Sequence, residues 1–182
     1  MSAHHTSGPP SAIRLTQFTS ADLAEILGEG NDPFGVAETG LAWLPKDEHF
    51  AVRHEDRFVA HAGLRRLPLT VGGTGMEVVG VGSVAVAPDV RGRGLARSVV
   101  AAALSHARTL GPRHALLFCR PPLVALYERL GWRPVDEDPS VEVLVEQPGD
   151  RVVTMPLRTM VTPLHEDAQW PAGPVRLWSL PM

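Results

Sequence analysis

The stretch Val84-Ala85-Val86-Ala87-Pro88-Asp89-Val90-Arg91-Gly92-Arg93-Gly94-Leu95-Ala96 decides the fold. Its first four residues are valine and alanine, the composition of a buried strand. Pro88-Asp89 ends that strand. From Leu95 the spacing changes. Leu95, Val99, Ala103, Ala107 and Leu110 share one helical face, with Arg97, Ser105 and Arg108 mostly off it, which predicts a helix over residues 95–110. Gly111 and Pro112 supply its stop signals. The start of a helix presents unpaired N–H groups and a partial positive charge, so the turn before it is an anion site suited to a pyrophosphate. Gly92 and Gly94 let the backbone approach phosphate oxygens, and Arg91 and Arg93 add charge.

Two familiar phosphate loops do not fit these letters. A Walker loop needs Lys-Ser or Lys-Thr after its last glycine, where this chain has Leu95-Ala96. A dinucleotide fingerprint needs a small residue where Arg97 stands, and a parallel strand near the N-terminus. A plain strand–turn–helix connection, with glycine serving only the turn, remains open from these residues alone.

Upstream, residues 13–18 alternate like a strand, and Thr19 or Ser20 offers an N-cap for a short helix over residues 21–27, stopped by Gly28. Residues 28–45 mix Gly, Asn, Asp and Pro with Phe34, Leu41 and Trp43, a long loop of the kind that lines substrate sites. Apolar runs at 49–52 and 58–71 flank the charged turn His54-Glu55-Asp56-Arg57 and predict a hairpin. A second hairpin turns at Gly72-Gly73-Thr74-Gly75 into a strand over residues 76–87. Downstream come a strand over 115–119 and a helix over 121–130 closed by Gly131. A last hairpin pairs 141–146 with 151–157, and residues 162–182 read as a Pro- and Trp-rich tail. The expected fold is α/β: a mixed, mostly antiparallel sheet with one parallel crossover, flanked by helices.

A chain of 182 residues with 44% hydrophobic and 20% charged residues suits one soluble globular domain. A net charge of -3 gives no general attraction to nucleic acid or an anionic membrane. No apolar run spans a bilayer, and residues 1–11 lack a signal-peptide core and read as a disordered tail. The single cysteine, Cys119, forms no internal disulfide, so a cytoplasmic location is the default. No metal site is expected.

Arg91-Gly92-Arg93-Gly94-Leu95-Ala96 resembles the Arg/Gln-x-x-Gly-x-Gly/Ala signature of the GNAT N-acetyltransferases. Leu126-Tyr127-Glu128-Arg129-Leu130-Gly131-Trp132 is similar to that superfamily's second motif, a Tyr four residues before a Gly-aromatic pair. The resemblance covers residues 13–157 and makes residues 12–182 an N-acetyltransferase domain whose sheet is splayed at the coenzyme site. It implies acetyl-CoA as the acyl-donor co-substrate, with the strand Val84, Ala85 and Val86 pairing its pantetheine arm. The amides of Arg91, Gly92, Arg93, Gly94, Leu95 and Ala96 would hold the pyrophosphate. The Val84 N–H would polarise the thioester carbonyl. Tyr127 becomes the expected general acid, since a phenol of pKa about 10 can protonate a thiolate without ionising at neutral pH. A tyrosine in the core of its helix is the structural alternative.

Other candidates are weaker. Cys119 near the thioester reads as an inert buried thiol rather than a nucleophile. For the general base, Glu38 in the long loop is preferred over Glu29, Asp32 and Glu77. His49 and His61, in strands, read as structural.

Val59-Ala60-His61-Ala62, Val81-Gly82-Ser83-Val84-Ala85-Val86 and Trp170-Pro171-Ala172-Gly173-Pro174-Val175 resemble, more distantly, the aminoglycoside 2′-N-acetyltransferases. The chain departs from them at Gly82, Gly40 and Pro174, where that family carries acids. A polycationic sugar needs such carboxylates when its ammonium groups lose water. The expected function is therefore acetylation of a primary amine on a small molecule by direct attack on the thioester. A peptide or protein acceptor would need an open groove, and a third reading is a non-catalytic acyl-CoA-binding module. A homodimer is compatible with the sequence.

Overall fold

The computed structural model describes residues 10–30, 32, 34–138 and 141–182. The tail expected over residues 1–11 falls almost wholly outside them. Strand β1 (Ala12–Leu15) leads into helix α1 (Ser20–Leu27). That helix starts on a reciprocal cap: Thr19 Oγ1 accepts from the Asp22 amide at 3.2 Å, and the Asp22 carboxylate accepts from the Thr19 amide at 2.6 Å. Strands β2 (Glu48–His54), β3 (Arg57–Val71) and β4 (Thr74–Val86) form the expected antiparallel meander. Glu55 and Asp56 take left-handed φ of 47° and 64° to close its first turn.

Helix α2 (Leu95–Ala107) then crosses over to β5 (His114–Cys119), parallel to β4. It stops short of the predicted Leu110, where the Thr109 hydroxyl donates to the His106 carbonyl at 2.7 Å. Helix α3 is Val124–Arg129, entered through a single 3-10 turn at Pro121–Leu123, because the two prolines lack amides for an α-helical start. Strands β6 (Arg133–Pro134), β7 (Val143–Gln147), β8 (Arg151–Thr154), β9 (Arg158–Pro163) and β10 (Val175–Leu177) complete the chain.

The sheet runs β6-β9-β5-β4-β3-β10-β7-β8, with β1 and β2 branching off β3. Strand β3, 15 residues long, makes the branch possible: its first half pairs with β2 and its last three residues with β10. Residues 162–182 are thus no appendage. Strand β10 lies antiparallel to β3 and parallel to β7, and Val175 and Leu177 are each 1% exposed. Three residues are too few for periodicity to announce, so only the partners reveal the strand.

Helices α1 and α2 pack on β2, β3 and β4 over Phe50, Val59, Val99, Ala103 and Ala107, all buried. Each large apolar side chain so buried contributes about 1.5–3 kcal/mol. A second cluster around Leu67, Leu69, Val145, Leu177 and Met182 sits where the last strands close the sheet.

Two irregularities position the site. Strands β4 and β5 pair only at Val79–Ala115 and Gly80–Leu116, so beyond Gly80 they diverge. In the same segment β4 bulges: His61 pairs with Ala85 and Gly63 with Gly82, so Ser83 and Val84 together face Ala62. Ser83 carries the bend with a left-handed φ of 51°.

Candidate active site

Two cavities occupy the opening between β4 and β5. The first, about 580 Å³, runs along Val84, Ala85 and Val86 to the turn before α2, where Arg91, Gly92, Gly94, Leu95 and Ala96 line it. Gly92 and Gly94 hold φ of 79° and 76°, and a Cβ on either would meet nothing within 4 Å, so the turn faces open space. Arg97, Arg120 and Arg129 also line it, and among the described residues no Asp or Glu side chain does. Backbone amides at a helix start, surrounded by guanidinium groups, suit a polyphosphate. Arg91 Nε donates to the Val86 carbonyl at 3.3 Å, bracing the turn against the strand.

The second cavity, about 550 Å³, lies on the other side of the bulge. Phe34, Trp43, Leu44 and Lys46 of the long loop, Phe18, His49, His61 and Met182 are among its walls. Loop and C-terminal segment are tied together there: the Leu44 amide donates to the Pro181 carbonyl at 2.6 Å, and Gln147 brackets Ala42 with bonds of 2.8 and 3.2 Å. Phe34, Val84, Arg120, Leu123 and Tyr127 line both cavities, so the two meet at the bulge.

The polar floor of the second cavity is a pair of imidazoles. His61 Nδ1 lies 2.8 Å from the Ser83 carbonyl, and His61 Nε2 lies 3.1 Å from His49 Nδ1. Phe18 stacks on His61 with ring centroids 3.8 Å apart. Burial lowers the pKa of His61 to about 4, against the bond from Ser83, and burial together with the Lys46 charge lowers that of His49. Lys46 is pushed down to about 8, by burial first and then by the Arg65 charge.

Tyr127, 6% exposed, packs edge-on against Trp132 at 6.2 Å, and burial with the nearby Cys119 raises its pKa well above 10. Its hydroxyl therefore keeps its proton. Cys119 is buried, its Sγ 3.8 Å from Met160 Sδ, and burial pushes its thiol up to about 11. A protonated thiol matches the inert reading.

A family model described as an acetyltransferase (GNAT) domain matches residues 31–135, more than half of the chain. The chain belongs to the GNAT acetyltransferase family. It is an acyl-CoA-dependent N-acetyltransferase with acetyl-CoA as donor. Solved structures agree on the fold. A GNAT family N-acetyltransferase of Escherichia coli (YhbS), in complex with CoA, is 20% identical with a TM-score of 0.61, over 98% of this chain and 99% of that one. Escherichia coli ElaA is 19% identical with a TM-score of 0.53, over 85% and 99%. N-acetylglutamate synthase from Neisseria gonorrhoeae, complexed with coenzyme A and N-acetyl-glutamate, is 15% identical with a TM-score of 0.55. The match covers 88% of this chain and 37% of that one. No curated protein matches the chain by sequence.

In the acetyltransferase, the predicted residues Val84, Ala85, Val86, Arg91, Gly92, Gly94, Leu95, Ala96 and Tyr127 come together around the first cavity. Arg93 is exposed at the tip of the turn, outside the lining. Glu38 stands exposed on the 3-10 turn Ala37–Thr39 and lines neither cavity. The Asp32 carboxylate accepts from the amides of Val36 and Ala37 at 3.1 and 2.8 Å, a turn-stabilising role. Glu77 pairs with Arg66 at 3.5 Å, away from both cavities.

Sequence reading missed Lys46 and passed over His49 and His61. It also did not single out Arg97, Arg120 and Arg129. Arg129 stands inside the second quoted motif and Arg97 directly follows the first, which is the signal that was there to use. No group of three or more His, Cys, Asp or Glu among the described residues forms a metal site, and no helix among them is long and apolar enough to cross a membrane.

Proposed function

We propose that this acetyltransferase moves the acetyl group of acetyl-CoA to a primary amine of a small molecule seated in the second cavity. The observation that carries this reading is the meeting of the two cavities at Val84 and Tyr127. A donor in the arginine-lined cavity and an acceptor beside the imidazoles would face each other across the β4 bulge. A volume of about 550 Å³ is in the range of small-ligand pockets. The bonds that tie loop to C-terminal segment favour a walled pocket over the open groove that a peptide needs.

The residues divide the chemistry. The amides of the Arg91–Ala96 turn and the side chains of Arg91, Arg97 and Arg129 bind the pyrophosphate. The Val84 amide polarises the thioester carbonyl. His49 is the general base. The Ser83 carbonyl can only accept, so His61 Nδ1 carries hydrogen, its Nε2 is a lone pair, His49 Nδ1 donates to it, and His49 Nε2 is left as a lone pair. As the C–N bond forms and the C–S bond breaks, His49 Nε2 takes the amine proton. Tyr127 gives its hydroxyl proton to the leaving sulfur and regains one from His49 through solvent. The amide and the free thiol result, with no net proton change for a neutral amine. The high pKa of Cys119 favours this direct route over an acyl-enzyme.

The reading is tested by thermal unfolding with acetyl-CoA, then by turnover. A ligand at 100 times its Kd adds about 2.7 kcal/mol of stability. An unchanged unfolding temperature would overturn the donor site. A turnover screen over amino acids, aryl amines, polyamines and short peptides, with product mass, decides the acceptor size.

A further inference from the structure

The acceptor cavity carries charge of one sign. Lys46 and Arg120 line it, and among the described residues no Asp or Glu side chain does. Shape holds Lys46 in place. Gly63 and Gly82 face each other across β3 and β4, and the lysine stem lies over both. A Cβ on Gly63 would stand 2.5 Å from Lys46 Cγ, and one on Gly82 would stand 2.6 Å from Cε and 3.1 Å from Nζ. The two glycines open a slot that any side chain would fill.

Lys46 has no salt bridge to any described residue. The acids next to it in sequence are engaged elsewhere: Asp47 with Arg65 at 2.8 Å, Glu48 with Arg14 at 2.7 Å and with His106 at 2.5 Å. The charge acting most on Lys46 is that of Arg65, another cation. A desolvated ammonium with no counter-ion is costly, and an anion brought by a ligand relieves that cost. The same field disfavours a polyamine or an aminoglycoside.

Distance narrows the ligand. Gly82 stands two residues before Val84, about 7 Å along an extended strand, so the ammonium over Gly82 and the acyl-transfer point at Val84 are near neighbours. That leaves room for one or two carbons between an amine and its anion. Much of the remaining wall is apolar, with Phe18, Phe34, Trp43, Leu44, Phe118 and Met182.

We infer that the acceptor is an α- or β-amino acid with an apolar or aromatic side chain, its carboxylate paired with Lys46 and its amine presented to His49. This rests on the reading of the second cavity as the acceptor site and adds the substrate class. The slot opened at Gly82 is filled by the cation that would bind the acid of the substrate.

The test compares each amine with and without its carboxylate: L-phenylalanine, β-phenylalanine and L-leucine against phenethylamine and isoamylamine, by thiol release from acetyl-CoA. The expected kcat/KM is at least about tenfold higher for the amino acids, the worth of one charge-assisted pair. Lys46→Met keeps the stem and should erase that advantage, bringing the kcat/KM ratio of each amino acid to its decarboxylated amine to about one. Equal or better turnover of the decarboxylated amines, or an unchanged ratio in Lys46→Met, overturns the inference. Calorimetry gives a readout free of turnover. N-acetyl-L-phenylalanine and N-acetylphenethylamine are titrated into the protein with and without CoA. Tighter binding of the carboxylate by wild type but not by Lys46→Met supports the inference, and equal binding or none overturns it. Absence of a CoA signal in the same experiment overturns the donor site instead, so the two failures are told apart.

Discussion

His49 Nδ1 lies 3.1 Å from His61 Nε2, and His61 Nδ1 lies 2.8 Å from the carbonyl of Ser83. Two neutral rings can satisfy this chain in only one way, which leaves a lone pair on Nε2 of His49, a residue that lines the acceptor cavity. The β4 bulge sets the arrangement, because the left-handed Ser83 supplies the carbonyl that fixes the first tautomer. Strain in a strand is thereby converted into the orientation of a base two side chains away.

His49→Gln should lower kcat by about a hundredfold or more, the usual contribution of a positioned base. Its pKa lies below 6.5, so the ring is neutral at pH 7 and fails only in acid. The wild-type kcat/KM should therefore rise through a pKa below 6.5, with that limb absent in His49→Gln. A pH–rate profile that keeps the limb in the variant removes His49 from the mechanism.

His61 should make the protein sensitive to acid. Its pKa falls from 6.5 unfolded to about 4 folded, so the unfolded chain binds more protons between these values. Stability is then full above pH 6.5 and is lost as pH falls toward 4, by about 3 kcal/mol. His61→Asn keeps a donor toward Ser83 and cannot charge. Denaturant unfolding at pH 7 and pH 4.5 should show a smaller drop for the variant, and equal drops would mean that His61 does not titrate as described.

The histidine pair also shows where sequence reading ended. The hairpin from His54 to Arg57 was legible, but its register was not. Continued from the Arg53–Phe58 pair without a shift, His61 would face Phe50, and His49 would point to the opposite side of the sheet. The irregularity at Val52 and Arg53 moves His61 opposite Ala51 and His49 opposite Gly63, placing both on one face as diagonal neighbours. One extra residue decides whether these are two unrelated histidines or a relay. Lys46 was hidden for a similar reason, since its slot exists only once Gly63 and Gly82 are known to be paired. The Val84–Ala96 stretch was readable because strand, turn and helix start are all local to the chain. Strand β10 was not, because its partners lie more than 30 and more than 100 residues away in sequence.

Tyr127→Phe should separate chemistry from binding. Tyr127 lines both cavities, and its ring packs on Trp132, a contact that phenylalanine keeps. We expect kcat to fall by about a hundredfold, with the Kd of acetyl-CoA within about twofold of wild type. Pre-steady-state thiol release distinguishes a slow chemical step from slow product release. An unchanged rate would make Tyr127 a packing residue only.

The turn before α2 allows a comparison of backbone with side chain. Gly94 is the N-cap of α2 at φ 76°, and its missing Cβ faces open space. Gly94→Ala thus meets no clash, but it strains the backbone by about 1–2 kcal/mol and places a methyl where a phosphate would approach. The expected result is roughly tenfold weaker acetyl-CoA binding with kcat at saturation nearly preserved. Arg91 and Arg93 flank Gly92 with the same charge, yet only Arg91 lines the cavity and braces Val86. Arg91→Ala should weaken acetyl-CoA binding more than Arg93→Ala, and more so at low salt, where screening is least. Equal losses for the two arginines would mean that the general field of the turn, rather than the geometry of Arg91, holds the pyrophosphate.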